Sequence, residues 1–207
     1  MPNTTRPNIL WYCADQQRWD TIGALNNPHI HTPHLDALVG KGIAFERYYV
    51  QNQVCTPSRA SFLTGRYPAA HQVYRNGVAR FPDSEVLVTR LLADAGYGCG
   101  LIGKLHLSTA KDQVEVRPDD GYEHFLWSQN PYPGEMSAHN AYHHWLRETH
   151  GVEAAELFKG AHGVIDPGVP ANLHQSTWVT DEALRYVEAH RQRSKERPWL
   201  LSLNPYD

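Results

Sequence analysis

Val86-Leu87-Val88-Thr89-Arg90-Leu91-Leu92-Ala93-Asp94-Ala95-Gly96-Tyr97-Gly98-Cys99-Gly100-Leu101-Ile102-Gly103-Lys104 decides the fold class. Residues 86–95 read as a helix with Gly96 as its stop, and 99–102 as a short apolar strand that ends on a charged residue. The same alternation recurs on both sides. Upstream, Asn8-Ile9-Leu10-Trp11-Tyr12-Cys13 is a continuous apolar run, as expected for a strand buried on both faces. Residues 35–39 read as a short helix closed by Gly40-Lys41-Gly42, 43–50 as a further strand, and 57–63 as a helix with Pro57 in its first turn and Gly65 at its end. Downstream, 176–190 is the clearest helix, with Trp178, Ala183, Tyr186 and Val187 over one face, and Pro198-Trp199-Leu200-Leu201-Ser202-Leu203 is another buried strand. Strands alternating with helices predict an α/β fold with a mostly parallel sheet flanked by helices. Between about 112 and 173 the pattern gives way to Pro, Gly, His and aromatics, and this stretch reads as an insertion or lid.

The chain has 207 residues, enough for one core that removes roughly 70% of the unfolded surface from water without a disulfide staple. Its 41% hydrophobic and 20% charged residues exclude a disordered or fibrous class. A net charge of −3 gives no drive toward nucleic acid. No run approaches the roughly 20 apolar residues of a membrane span, and Met1 to Pro7 lacks the apolar core of a signal peptide. Cys13, Cys55 and Cys99 cannot pair completely, so a reducing, cytoplasmic location is expected. Cys13 and Cys99 sit in apolar runs where an inert buried thiol is ordinary, whereas Cys55 lies among Gln, Thr, Pro, Ser and Arg.

In open α/β sheets ligands collect beyond the carboxyl ends of strands. Asp15 and Gln16, Lys104 and His106, and Asn204 and Asp207 follow three such ends. Two motif matches in this region do not carry chemistry. Gly98 to Gly103 matches GxGxxG, but it follows a helix and lies within the strand, the reverse of a dinucleotide-binding turn. The same glycines with Lys104 approach a P-loop, but Leu105 stands where the magnesium-binding hydroxyl belongs. The 13 histidines include His139 and His143 at i, i+4 and a cluster at His29, His31 and His34, yet Asn140 replaces the glutamate that a zincin needs.

Val54-Cys55-Thr56-Pro57-Ser58-Arg59-Ala60-Ser61-Phe62-Leu63-Thr64-Gly65-Arg66 is the informative segment. It sets a thiol at a helix start, where backbone N–H groups and the helix dipole favour an anion. Arg59, one turn on, adds a fixed positive fork. That combination suits attack on an oxyanion ester, or else a redox thiol of lowered pKa. The segment resembles the C-x-P-x-R signature and downstream Thr-Gly-Arg of the sulfatases of the alkaline phosphatase superfamily. Other elements agree in order. Pro7-Asn8-Ile9-Leu10 with Asp15-Gln16 resembles the family's first strand and metal-binding turn, where many sulfatases have Asp-Asp; the Asp-Gln form is similar to that of the phosphonate monoester hydrolase and choline-sulfatase-like branch. Thr32-Pro33-His34-Leu35-Asp36 and Gly42-Ile43-Ala44-Phe45 look like the TPNLD and GxxF elements, with His34 for the usual Asn. Asn76 matches an active-site Asn, and Gly103-Lys104-Leu105-His106 the GKxH motif.

The resemblance implies the N-terminal portion of a sulfatase-type catalytic domain over 1–207, with an alkaline phosphatase-like sheet truncated on its C-terminal side. It implies hydrolysis of a small sulfate ester, or alternatively of a phosphonate monoester or phosphodiester. Cys55, oxidised to formylglycine by a maturation enzyme, would supply a hydrated aldehyde whose hydroxyl attacks sulfur. Asp15, Gln16 and the oxygen at position 55 would ligate a divalent metal, calcium or manganese. Arg59 and Lys104 would stabilise charge, and Asn76, Lys104 and His106 would contact the sulfate, His106 also managing protons near neutral pH. A second metal-binding pair, a His-containing loop and another Lys of the family have no counterpart in these residues. The implied alternatives are part of a longer enzyme, a fragment completed by a second chain or homo-oligomer, and an inactive remnant.

Overall fold

The computed structural model describes residues 6–110, 114–134, 138–160, 168–193 and 196–206. The N-terminal residues 1–5, considered above for targeting, and Asp207, marked above as a strand-end residue, lie outside the described residues. Among those described, strands β1 (Ile9–Tyr12), β2 (Gly98–Gly103), β3 (His124–Trp127) and β4 (Trp199–Asn204) form one sheet in the order β1-β4-β2-β3. Every pairing is parallel, as the alternating pattern predicts. The helices are α1 (Pro33–Lys41), α2 (Cys55–Thr64), α3 (Pro68–His71), α4 (Val88–Asp94), α5 (Ala141–His150), α6 (Ala154–Leu157) and α7 (Gln175–Arg193). No described helix is long and apolar enough to cross a membrane.

The two central strands, β4 and β2, are apolar and buried almost throughout because helices cover both their faces. Successive strand residues point to opposite sides, so the core splits into two layers. On one side Cys99, Leu101 and Leu200 pack with Ala60 and Leu63 of α2 and with Leu87 and Tyr122. On the other, Ile102, Leu201 and Leu203 pack with Tyr142, Trp145 and Leu146 of α5 and Trp178, Val179 and Tyr186 of α7. The glycines of β2 make this layering possible. A Cβ on Gly100 would lie 2.9 Å from the Tyr186 ring, so α7 packs on bare backbone there. Gly100→Ala is expected to cost about 1–3 kcal/mol in urea unfolding, the range for overpacking a filled core; an unchanged midpoint would mean that α7 moves away freely.

Three expectations are corrected. The 43–50 segment forms no strand, and its side chains are exposed. Its apolar residues suit a strand, but no described edge pairs with it, and an unpaired strand has no ladder to hold it. The first strand is not buried on both faces: Ile9 and Trp11 pack against the core, while Leu10 and Tyr12 are 57% and 54% exposed. Among the described residues β1 is an edge strand and α7 packs mainly over β2 and β4, which leaves that face of β1 largely exposed. The 112–173 stretch, read as an insertion or lid, is integral to the sheet where it is described. β3 pairs with β2 from Gly100↔His124 to Gly103↔Trp127, and α5 supplies Tyr142, Trp145 and Leu146 to one core layer. A four-residue strand is too short to show a period, and histidines among its aromatics and those of α5 masked the pattern.

Candidate active site

Because the strands are parallel, β1, β2 and β4 end on one side of the sheet and deliver Asp15, Lys104 and Asn204 there. Gly103 sits at φ +107°, where an added Cβ would lie 2.0 Å from the Asn204 carbonyl oxygen, so only glycine lets the two strand ends come this close. Helix α2 points its N-terminus at the same place. Cys55 is its first residue, and Gly65 at φ +68° ends it. Its N-cap residue Val54 offers no side-chain acceptor; Asn76 Oδ1 accepts instead from the Thr56 N–H at 2.9 Å.

Asp15 stands between two cations. Lys104 Nζ lies 2.7 Å from Asp15 Oδ2, and Arg59 Nη2 lies 3.4 Å from Oδ1. Arg59 Nη1 also donates to the Lys104 carbonyl oxygen at 2.8 Å, and Asn204 Nδ2 donates to the same oxygen at 2.9 Å. Lys104 Nζ is 3.8 Å from Cys55 Sγ. Both cations are 3% exposed. Two buried positive charges therefore share one carboxylate, and the cluster carries an excess positive charge beside Cys55. A buried charge that is not matched is costly, so this arrangement favours a bound anion. A cavity of about 370 Å³ opens at the cluster and is lined by Cys13, Asp15, Gln16, Cys55, Arg59 and Phe62 among others.

His106 follows at φ +56°, and its Nδ1 is buried with no hydrogen-bond partner among the described residues. Burial, then Lys104 and Arg59, push its pKa down to about 4. The ring is thus neutral around pH 7, which corrects the expectation that it titrates near neutrality. Burial also lowers the pKa values of His71, His124 and His143. For each, the unfolded chain takes up protons near pH 6.5, before the folded one does. For His106 the contribution to stability is complete above about pH 6.5 and is lost as pH falls toward 4, and the other three histidines act in the same direction. Glu115, whose carboxyl pKa burial raises, works in the opposite sense. A comparison of His106→Gln with wild type therefore isolates one share: the variant is expected to show a shallower fall in stability between pH 6.5 and 4 by denaturant titration, and equal slopes would contradict the assignment.

The structure thus brings Cys55, Arg59, Lys104 and Asp15 together as the sequence predicted, with Gln16 on the cavity wall and His106 two residues beyond Lys104. Gln16 is exposed and holds a left-handed backbone at φ +60°. Asn76 Oδ1 caps α2 one residue from Cys55, which leaves its Nδ2 as the group for the expected sulfate contact. Sequence reasoning missed Tyr206, whose ring centre lies 5.0 Å from Lys104 Nζ, and Glu115, whose carboxylate meets the loop after β2. Neither has a local signal, since each reaches the site only through the folding of distant segments. The other histidine clusters are elsewhere: His29, His31 and His34 are exposed, and His143 Nε2 bonds the Pro131 carbonyl oxygen at 2.8 Å. A buried Ser61–His71 pair is not a nucleophile and base. His71 Nδ1 accepts from the Val73 N–H at 3.1 Å, so its Nε2 carries the proton and donates to Ser61 Oγ at 3.0 Å.

The sulfatase family model matches residues 7–205, nearly the whole chain and all of the site but Tyr206. The chain belongs to the sulfatase family. It is 29% identical over 209 residues to an arylsulfatase of Clostridium perfringens, covering 96% of this chain and 42% of that one. A solved phosphonate monoester hydrolase of Agrobacterium radiobacter superposes with a TM-score of 0.71 at 22% identity, over 96% of this chain and 41% of that one. A second solved structure, in complex with its substrate D-glucosamine-2-N,6-O-disulfate, superposes with a TM-score of 0.65 at 22% identity, over 96% of this chain and 34% of that one. The sulfatase chain described here therefore spans well under half of the relatives it matches, and both structural neighbours share its parallel sheet.

Proposed function

We propose that this chain carries the nucleophile and anion cradle of a sulfuric ester hydrolase acting on a small sulfate ester. The observation that carries the reading is the pair of buried cations, Arg59 and Lys104, sharing one carboxylate beside Cys55 at a helix N-terminus. Oxidised to formylglycine, residue 55 supplies a hydrated aldehyde oxygen as nucleophile in place of the thiol. Lys104, between Asp15 and residue 55, is positioned to neutralise charge there and on the ester oxygens. Arg59 is locked by the Lys104 carbonyl oxygen and Asp15, so it meets a developing charge without reorganising. His106, neutral and with an unpartnered Nδ1, offers a hydrogen bond to a sulfate oxygen or to the leaving group.

A divalent ion fits the donors in kind and not in number. Asp15 and Gln16 offer two hard oxygens on one cavity wall, but both Asp15 oxygens face cations. Among the described residues no three His, Cys, Asp or Glu side chains converge on one point. Such an ion, held by Asp15 and Gln16 with donors from elsewhere, would add positive charge to the cradle; no step above depends on it. A second reading, phosphonate monoester hydrolysis with the same nucleophile, is favoured by Gln16 standing where many sulfatases have Asp.

The test is turnover of an aryl sulfate beside an aryl phosphonate monoester with added Ca²⁺ or Mn²⁺, once peptide mass spectrometry shows residue 55 as formylglycine. Faster turnover of the sulfate is expected. Preference for the phosphonate would establish the second reading. No turnover by the oxidised protein that a longer chain restores would mean a sulfatase-type fragment whose remaining donors lie elsewhere. No turnover of either ester by the longer oxidised chain would favour an inactive remnant and overturn both.

A further inference from the structure

We propose that Glu115 is a positioning residue for the site: its buried carboxylate holds the backbone of residues 106–108, just beyond Lys104, in the shape that keeps His106 beside the cationic cluster. The proposal rests on the sulfate-ester reading above for its catalytic consequence, and on geometry alone for the positioning. Sheet pairing ends at Lys104, whose N–H donates to the Asn204 carbonyl oxygen at 2.9 Å. The amides of the loop beyond it find a carboxylate in place of a ladder. Glu115 Oε2 accepts from the His106 N–H at 2.8 Å and from Trp127 Nε1 at 3.2 Å. Oε1 accepts from the Leu107 N–H and from the Ser108 N–H, the latter at 2.9 Å.

Three successive backbone N–H groups aimed at one anion form a concave nest, which needs a left-handed residue. That residue is His106, at φ +56°, a conformation that costs free energy for any side chain with a Cβ. The four N–H donors at one carboxylate offset that cost. Leu105 and Leu107 are buried on either side of His106 and anchor the same loop in the core. Glu115 is 3% exposed and forms no ion pair among the described residues, so its charge is balanced by these dipoles rather than by a cation. A glutamine in its place keeps the shape but offers one acceptor oxygen and turns an NH₂ toward donors.

The experiment compares wild type, Glu115→Gln and the milder Trp127→Phe, which removes one donor and leaves the three backbone N–H groups. Amide hydrogen exchange and the His106 ring resonances are read by NMR, and kcat and KM on an aryl sulfate are measured on the same preparations. Glu115→Gln is expected to speed exchange at residues 106–108 by at least about tenfold while the β2 and β4 amides keep their protection. It is also expected to shift the His106 ring resonances and to lower kcat about 100-fold with KM little changed, the size of effect that misplacing a reacting group produces. Trp127→Phe is expected to lose less than about tenfold in kcat, because three of the four donors remain. Unchanged exchange at 106–108, or protection lost equally through β2 and β4, would overturn the positioning role. Turnover by wild type with kcat unaltered in Glu115→Gln would overturn its catalytic consequence while the sulfate-ester reading stands. Selective exchange loss in a protein that turns over no sulfate ester would uphold the positioning and overturn that reading instead.

Discussion

Cys55→Ala is expected to abolish the proposed turnover of an aryl sulfate, a loss on the order of 10⁴-fold or more, as removal of a covalent nucleophile does elsewhere. It does so with little change in stability. Cys55 is half-buried at the first residue of α2, and among the described residues its thiol has a single hydrogen-bonding contact, Lys104 Nζ at 3.8 Å. The helix keeps its start, because the cap comes from Asn76 to Thr56 and not from Cys55. The variant is therefore expected to unfold within about 1 kcal/mol of wild type, as substitutions away from core features do. Steady-state turnover and urea unfolding on the same preparation check both halves. Residual activity within about tenfold of wild type would mean that water, not residue 55, attacks the ester.

Asp15→Asn is expected to destabilise the protein by about 3–5 kcal/mol, the range found when one partner of a buried ion pair is removed. The change is nearly isosteric, so packing is not the cause. It leaves Arg59 and Lys104, both 3% exposed, with no carboxylate between them. Lys104→Met removes one member of the same cluster and leaves Asp15 paired with Arg59, so it is expected to cost less despite deleting a charge. The order of the two variants is the diagnostic result, read from urea unfolding at pH 7.5. Inorganic sulfate should restore part of the lost stability of Asp15→Asn, since an anion bound to the folded state shifts the equilibrium by mass action. If Lys104→Met proves the more damaging, the cluster has no excess positive charge, and the argument for an anion cradle falls with it.

Much of this was legible in order along the chain. The parallel α/β class followed from apolar runs alternating with helical segments, and β2, β4 and α7 formed where glycines and apolar residues marked them. Cys55, Arg59 and Lys104 were legible because a helix start, a position one turn along it and a strand end are local features. The 43–50 segment and the outer face of β1 were not. A residue pattern reports how apolar a segment is, and only its neighbours decide whether a partner or a cover exists. The 104–108 loop shows the same limit. The sequence marked Lys104 and His106, but nothing in it linked them to Glu115 or to Tyr206.

Sequence alone determined the fold class, the family and the identity of the groups at the centre of the site. These depend on local propensity, on hydrophobic period and on residue types in fixed order. Tertiary structure decided the charge state and the geometry. It set two buried cations against one carboxylate, turned Asn76 into the cap of α2, held His106 neutral with a pKa of about 4, and closed the loop amides on Glu115. Each of these depends on burial and on distances between residues far apart in the chain, and neither quantity exists until the strands have paired.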